Sequence, residues 1–161
     1  MPSSSPCPVA RATELLGDRW VLLIIRDAFD GVHRFSDFQR SLGVARNILS
    51  DRLRRLVDAG VLALQPATDG TAYQHYVLTE AGTALFPVVV ALRQWGETRR
   101  FKPGEAHSRL VERGNGRELA YMQPRTRRGR VVQAADSRVV KLDPGWTASP
   151  DRGVDSVDAV K

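Results

Sequence analysis

The run Ala45-Arg46-Asn47-Ile48-Leu49-Ser50-Asp51-Arg52-Leu53-Arg54-Arg55-Leu56-Val57-Asp58-Ala59-Gly60 constrains this chain more than any other feature. At about 100° per residue, Ile48, Leu49, Leu53 and Leu56 gather on one face of a helix. Asn47, Ser50, Asp51 and Arg54 gather on the opposite face, with Arg46 and Arg55 at its margins. Arg52 leans toward the apolar side, where its stem packs on the surface and its guanidinium reaches out. Gly60 suits a left-handed cap after the last turn. Arginine, asparagine and serine on one wet face are the side chains that read phosphates and base edges. An ordinary solvated face has the same composition, so the flanking sequence has to decide.

The flanks supply a recognisable order. Pro8 to Leu16 reads as a short helix stopped near Gly17. Asp18 caps a second helix that runs through Trp20, Leu23, Ile24 and Ala28 to about Asp30, where Gly31 breaks it. Phe35, Phe38 and Leu42 recur at helical spacing, and Gly43 ends that third helix. A short helix, a four-residue turn with glycine and a longer helix make a helix-turn-helix. Beyond Gly60, Val61–Leu64 reads as a strand, Thr68-Asp69-Gly70-Thr71 as a hairpin turn and Tyr73–Leu78 as the return strand. Thr79-Glu80 opens a long helix through Leu85, Val89, Leu92 and Trp95, which Pro87 kinks or segments. The expected fold class is therefore α+β: a winged helix-turn-helix domain over residues 7–101, which also carries dimerisation, after a disordered stretch at 1–6.

From Ser108 the pattern changes to short apolar runs at 109–112, 118–122, 130–132 and 138–142, separated by Gly114-Asn115-Gly116 and Thr126-Arg127-Arg128-Gly129. These read as four small strands in a β-ribbon extension over residues 108–145, without metal, and residues 146–161 as a flexible tail. Residues 1–100 hold 12 Lys+Arg against 10 Asp+Glu, and residues 101–161 hold 12 against 8. The net charge of +6 thus permits a polyanionic partner, but the helix-turn-helix must bind through a local patch. The single cysteine excludes an intrachain disulfide. The start has no apolar core of a signal peptide, and no apolar run approaches the roughly 20 residues of a membrane span. A cytoplasmic protein with no membrane partner is expected.

Several motifs occur in order and in register: Cys7-Pro8-Val9, Leu15-Leu16-Gly17-Asp18-Arg19-Trp20, Phe35-Ser36-Asp37-Phe38, Asn47 to Leu56, Tyr76-Val77-Leu78-Thr79-Glu80-Ala81-Gly82 and Trp95-Gly96. Over about residues 7–100 the chain resembles the HxlR family of bacterial winged-helix transcriptional regulators, relatives of the MarR group. The resemblance implies a homodimer built on the terminal helices, a recognition helix in the major groove and a wing near the backbone. It also implies that Cys7, in the Cys-Pro motif, senses quinones, aldehydes or oxidants as some members do. Two features depart from the family. Residues 65–74 hold no basic residue and include Asp69, so the wing binds through Thr71, Tyr73 or Gln74 if at all. The extension echoes a cysteine-bearing zinc ribbon in length, but Asn115 stands where a cysteine is expected.

The expected DNA contacts are Arg34, Ser36, Arg46, Asn47, Ser50, Asp51, Arg52, Arg54, Arg55, Thr71, Tyr73 and Gln74. Arg46 and Arg54 are placed on phosphate or guanine, and Asn47 and Ser50 on base edges. Cys7, with Pro8 at the first helical position and Arg11 one turn on, has the surroundings that favour a thiolate. The alternative for Cys7 is an inert side chain at a dimer interface. His33, His75 and His107 are widely spaced, lack acidic or cysteine companions at ligand spacing, and read as surface histidines rather than metal ligands. Arg125, Arg127, Arg128 and Arg130 form a basic turn that reads as solvated, with contact to flanking DNA as the alternative. No base–nucleophile pair, metal cluster or nucleotide loop points to an enzyme, and no cofactor is expected. The reading is a dimeric regulator, a repressor, of an inverted-repeat operator on double-stranded DNA, responsive to oxidants, electrophiles or a small ligand. A winged-helix protein-interaction module and an unspecific nucleic-acid binder are the rivals.

Overall fold

The computed structural model describes residues 5–67 and 73–140, which divide into two compact units, Met1–Met122 and Gln123–Lys161. The first unit runs α1 (Pro8–Leu16), α2 (Arg19–Phe29), α3 (Phe35–Leu42), α4 (Arg46–Asp58), β1 (Leu62–Pro66), β2 (Gln74–Leu78), α5 (Glu80–Thr83) and α6 (Phe86–Arg99). This is the α+β winged helix-turn-helix order.

The local causes of these elements are visible in the sequence. Asp18 caps α2, its Oδ1 accepting from the Trp20 and Val21 amides at 2.8 and 3.3 Å. Gly43 ends α3 at φ 60°, a left-handed conformation that lets the chain reverse tightly into α4. Pro87 stands in the first turn of α6, where its missing N–H costs nothing. It segments the expected long helix into α5 and α6.

The apolar faces meet in one core. Val21, Ile24 and Ile25 of α2, Phe38 of α3, and Leu49, Leu53 and Leu56 of α4 are fully buried, joined by Val44, Val61 and Leu62. The two strands pair antiparallel from Leu62↔Leu78 to Pro66↔Gln74. Tyr76 lays its ring edge-on to Phe38 at 6.3 Å, so the wing is fixed to α3. The expected hairpin turn at Thr68–Thr71 lies outside the described residues.

The extension differs from expectation. Among the described residues after α6 the ladder is reduced to two isolated antiparallel bridges, Val111↔Glu118 and Arg125↔Val131, and a 3-10 turn at Ala134–Asp136. The apolar runs there are two to four residues long and interrupted by arginine, proline and glycine. They present no continuous face to bury, which a stable sheet requires. Residues up to Met122 are held to α6 by a side chain rather than a ladder. The buried Gln94 amide donates to the Ala120 carbonyl at 3.0 Å and accepts from the Met122 amide at 2.8 Å. Among the described residues no helix is long and apolar enough to cross a membrane.

Candidate nucleic-acid interface

The geometry of α4 follows from its pattern. Leu49, Leu53 and Leu56 anchor one face in the core, which turns Arg46, Asn47, Ser50 and Arg54 outward together. These four are the expected readers that the fold brings to one exposed surface. The first turn of α4 has no side-chain cap, so its amides remain open to an acceptor such as a phosphate oxygen. The Arg46 guanidinium lies over the Phe35 ring at 5.2 Å from its centroid, which holds a long side chain near the start of the helix. Arg54 is 70% exposed along its side chain and is steadied by Asp51, whose Oδ1 accepts from it at 2.6 Å.

Three other expected contacts bind their own protein. Arg52 donates through Nε to Asp18 Oδ2 at 2.9 Å and through Nη1 to Asp51 Oδ2 at 2.8 Å. Asp51 therefore orients two arginines and offers its carboxylate to them. Arg55 donates to the Glu14 carbonyl of α1 at 3.2 Å. Arg52 and Arg55 lock α4 to α2 and α1, which sets the angle of its exposed face.

Asp18 is the centre of that lock. Burial raises its carboxyl, but hydrogen bonds from Arg52, Trp20 and Val21 and the Arg52 charge together hold it below the usual carboxylate range. A depressed carboxyl contributes stability above its unfolded value that is lost as pH falls through the folded value. Acid therefore weakens the α2–α4 lock only below about pH 4, the ordinary carboxyl range. Asp18→Ala removes both cap and lock and is expected to cost at least about 1 kcal/mol, the typical worth of a cap. Asp18→Asn keeps a capping side chain and loses less. Thermal unfolding of both variants against the parent reads the losses: equal midpoints in the two would contradict the cap, and a parental midpoint in Asp18→Ala would contradict cap and lock together.

The approach to α3 and the wing carries Arg34, Ser36, Tyr73 and Gln74. Ser36, Tyr73 and Gln74 are exposed; Arg34 is half-buried and Thr71 lies outside the described residues. Arg34 Nε donates to His75 Nε2 at 3.4 Å, and the His33 and His75 rings meet at 4.2 Å between centroids, tilted by 60°. The sequence reading missed this contact between the α2–α3 loop and β2, because the partners are 41 residues apart and share no motif.

Cys7 is exposed and stands at the N-cap position of α1 without a capping hydrogen bond from its side chain, with Pro8 following. Arg11 directs Nε to the Ser5 carbonyl at 2.5 Å. Between α2 and α6 a cleft of about 290 Å³ opens over Leu22, Leu23, Val89 and Leu92, with Arg93 and His107 at its rim. Beside it, Val88, Leu92 and Trp95 stand exposed at i, i+4 and i+7 on α6, and Val9 on α1 is 69% exposed. Among the described residues no three His, Cys, Asp or Glu side chains converge as a metal site would require.

Comparison with known proteins agrees with this layout. A family model described as an HxlR-like helix-turn-helix matches residues 15–102. An uncharacterized HTH-type transcriptional regulator of Mycobacterium tuberculosis is 49% identical over 89 residues, 55% of this chain and 56% of that protein. The match thus spans little more than half of that relative's length. The crystal structure of PA1607, a proposed transcription factor, superposes with a TM-score of 0.82 at 50% identity, over 86% of this chain and 97% of that one. The redox regulator HypR in its reduced form superposes with a TM-score of 0.54 at 28% identity, over 58% of this chain and 94% of its own.

Proposed function

The chain belongs to the HxlR-like helix-turn-helix family, and from that premise we propose that it is a dimeric regulator that reads an inverted-repeat operator on double-stranded DNA and represses transcription there. The observation that carries the reading is the exposed row Arg46, Asn47, Ser50 and Arg54 on a helix whose other face is fully buried. Arg46 and Arg54 take phosphate or guanine, and Asn47 and Ser50 take base edges. Arg34, Ser36, Tyr73 and Gln74 are proposed to add contacts from the start of α3 and from the wing, and Thr71 is proposed with them. One helix of this length makes too few contacts for useful affinity. Two related by a twofold axis, about 34 Å apart, read two half-sites. The exposed apolar residues of α1 and α6 supply the surface for that pairing.

The two kinds of contact predict different losses. Arg54→Ala weakens binding to every sequence and lowers the salt slope by about 1. Asn47→Ala relaxes preference at particular base pairs, by about 1–3 kcal/mol for a bidentate contact. Titration of both variants on the upstream intergenic duplex and on an unrelated duplex, over a range of salt, separates the effects. Parental behaviour from both would remove α4 as the reader.

Cys7 is the proposed input for oxidants or electrophiles, which fits its exposure and its place on α1. A small ligand in the α2–α6 cleft is the second route, favoured by that cleft's apolar floor. Mild oxidant or quinone is expected to lower operator affinity about tenfold, a 1.4 kcal/mol shift, in the parent and not in Cys7→Ser. Equal responses in a gel shift would leave the cleft as the remaining input.

A further inference from the structure

The densest positive charge lies in the second unit. Residues 123–140 hold Arg125, Arg127, Arg128, Arg130 and Arg138 against one acid, Asp136, whereas residues 1–122 hold 16 Lys+Arg against 13 Asp+Glu. Four of these arginines sit on a short hairpin with defined geometry. Arg125 bridges Val131, the Val132 amide donates to the Pro124 carbonyl, and the Thr126 amide donates to the Arg130 carbonyl, both at 2.9 Å. The turn closes by the Gly129 amide on the Thr126 carbonyl at 2.9 Å, and the Thr126 hydroxyl accepts from the Arg130 amide at 3.2 Å. Arg127 and Arg128 form the tip.

In the first unit six arginines, Arg26, Arg40, Arg52, Arg54, Arg93 and Arg109, each meet a carboxylate. On the hairpin none of the four has an ion-pair partner among the described residues. Arg125 donates Nη1 to the Gly129 carbonyl, a neutral acceptor, at 2.8 Å. Asp136 accepts from the Gln133 amide at 3.1 Å and helps close the 3-10 turn. Four like charges held on a fixed turn repel one another, and a polyanion relieves that repulsion while releasing its own counterions. The guanidinium fork matches phosphate oxygens in pairs.

We propose that the Gln123–Val132 hairpin is a second DNA contact, gripping phosphodiester groups of duplex DNA and adding affinity without sequence preference. This rests on the DNA-binding reading above. Because phosphate contacts are blind to sequence, the test needs no known operator. Full-length Arg127→Gln/Arg128→Gln and the charge-keeping Arg127→Lys/Arg128→Lys are titrated against salt on a short duplex of arbitrary sequence and on the upstream intergenic duplex. Circular dichroism verifies that both variants are folded. The glutamine variant is expected to weaken binding by the same factor on both duplexes and to flatten the salt slope by about 1 per arginine removed. The lysine variant is expected to keep the parental slope. A glutamine variant with parental affinity and slope, where the parent binds duplex and Arg54→Ala binds it more weakly, overturns the hairpin proposal alone. A parent that retains no duplex at any salt overturns the regulator reading and this proposal with it. Loss confined to single-stranded RNA or anionic vesicles, with duplex binding unchanged, also overturns it.

Discussion

Gly82→Ala is expected to lower the melting temperature by about 10 °C or more. A methyl group built on Gly82 would stand 2.2 Å from the Val61 carbonyl oxygen and 3.0 Å from a Leu78 methyl. The opposing oxygen belongs to the backbone and cannot rotate away, so either α5 or the start of β1 must move. That oxygen is also in use. It accepts from the Thr79 amide at 3.1 Å and the Thr79 hydroxyl at 3.2 Å, while the hydroxyl oxygen caps α5 by accepting from the Gly82 amide at 3.0 Å. The clash therefore strikes the junction that closes the wing onto the helices. Overpacking costs typically 1–3 kcal/mol, and a rigid neighbour puts this site at about 3. Each kcal/mol moves the midpoint by about 4–8 °C in a domain of 60–100 residues. A calorimetric scan of the variant measures it, and a midpoint within about 2 °C of the parent would mean that the junction yields freely.

Leu92→Asp is expected to remove dimerisation and, with it, most operator binding. Leu92 is 48% exposed between Val88 and Trp95 on α6, so a carboxylate there leaves the buried core intact. Placed opposite its own copy across a twofold axis, it sets like charges against an apolar surface. Light scattering should then give 17.8 kDa where the parent gives twice that mass. A linked second half-site multiplies affinity by about 10²–10⁴, and the variant loses that factor. A Leu92→Asp protein that remains a dimer would move the interface off this face of α6. A monomeric variant that keeps parental operator affinity would contradict the two-half-site geometry.

What the sequence made legible was local. Asp18, Gly43 and Pro87 act within one or two turns, so their residue types alone set where helices begin and end. The burial of Leu49, Leu53 and Leu56 follows from a periodicity that needs no knowledge of the partner surface. The same periodicity exposes Asn47, Ser50 and Arg54. What remained hidden depended on distance along the chain. Arg52 was expected to reach outward, yet Asp18, 34 residues away, takes its guanidinium. Arg55 reaches Glu14 across 41 residues. No spacing rule distinguishes an arginine that meets DNA from one that meets a carboxylate brought beside it by folding. The extension failed for a related reason. Its short apolar runs have strand composition, but a sheet needs a surface to bury, and Gln94 on α6 satisfies part of that backbone in place of a ladder.

The central question is whether α4 reads a symmetric site. A nuclease footprint of the purified protein on its own upstream intergenic DNA tests this most directly. Two protected half-sites with inverted sequence are expected, centred about one helical turn apart, roughly 34 Å, and weakened together in Arg54→Ala. Protection spread evenly along the fragment, or no protection where unrelated DNA is bound equally well, would contradict it.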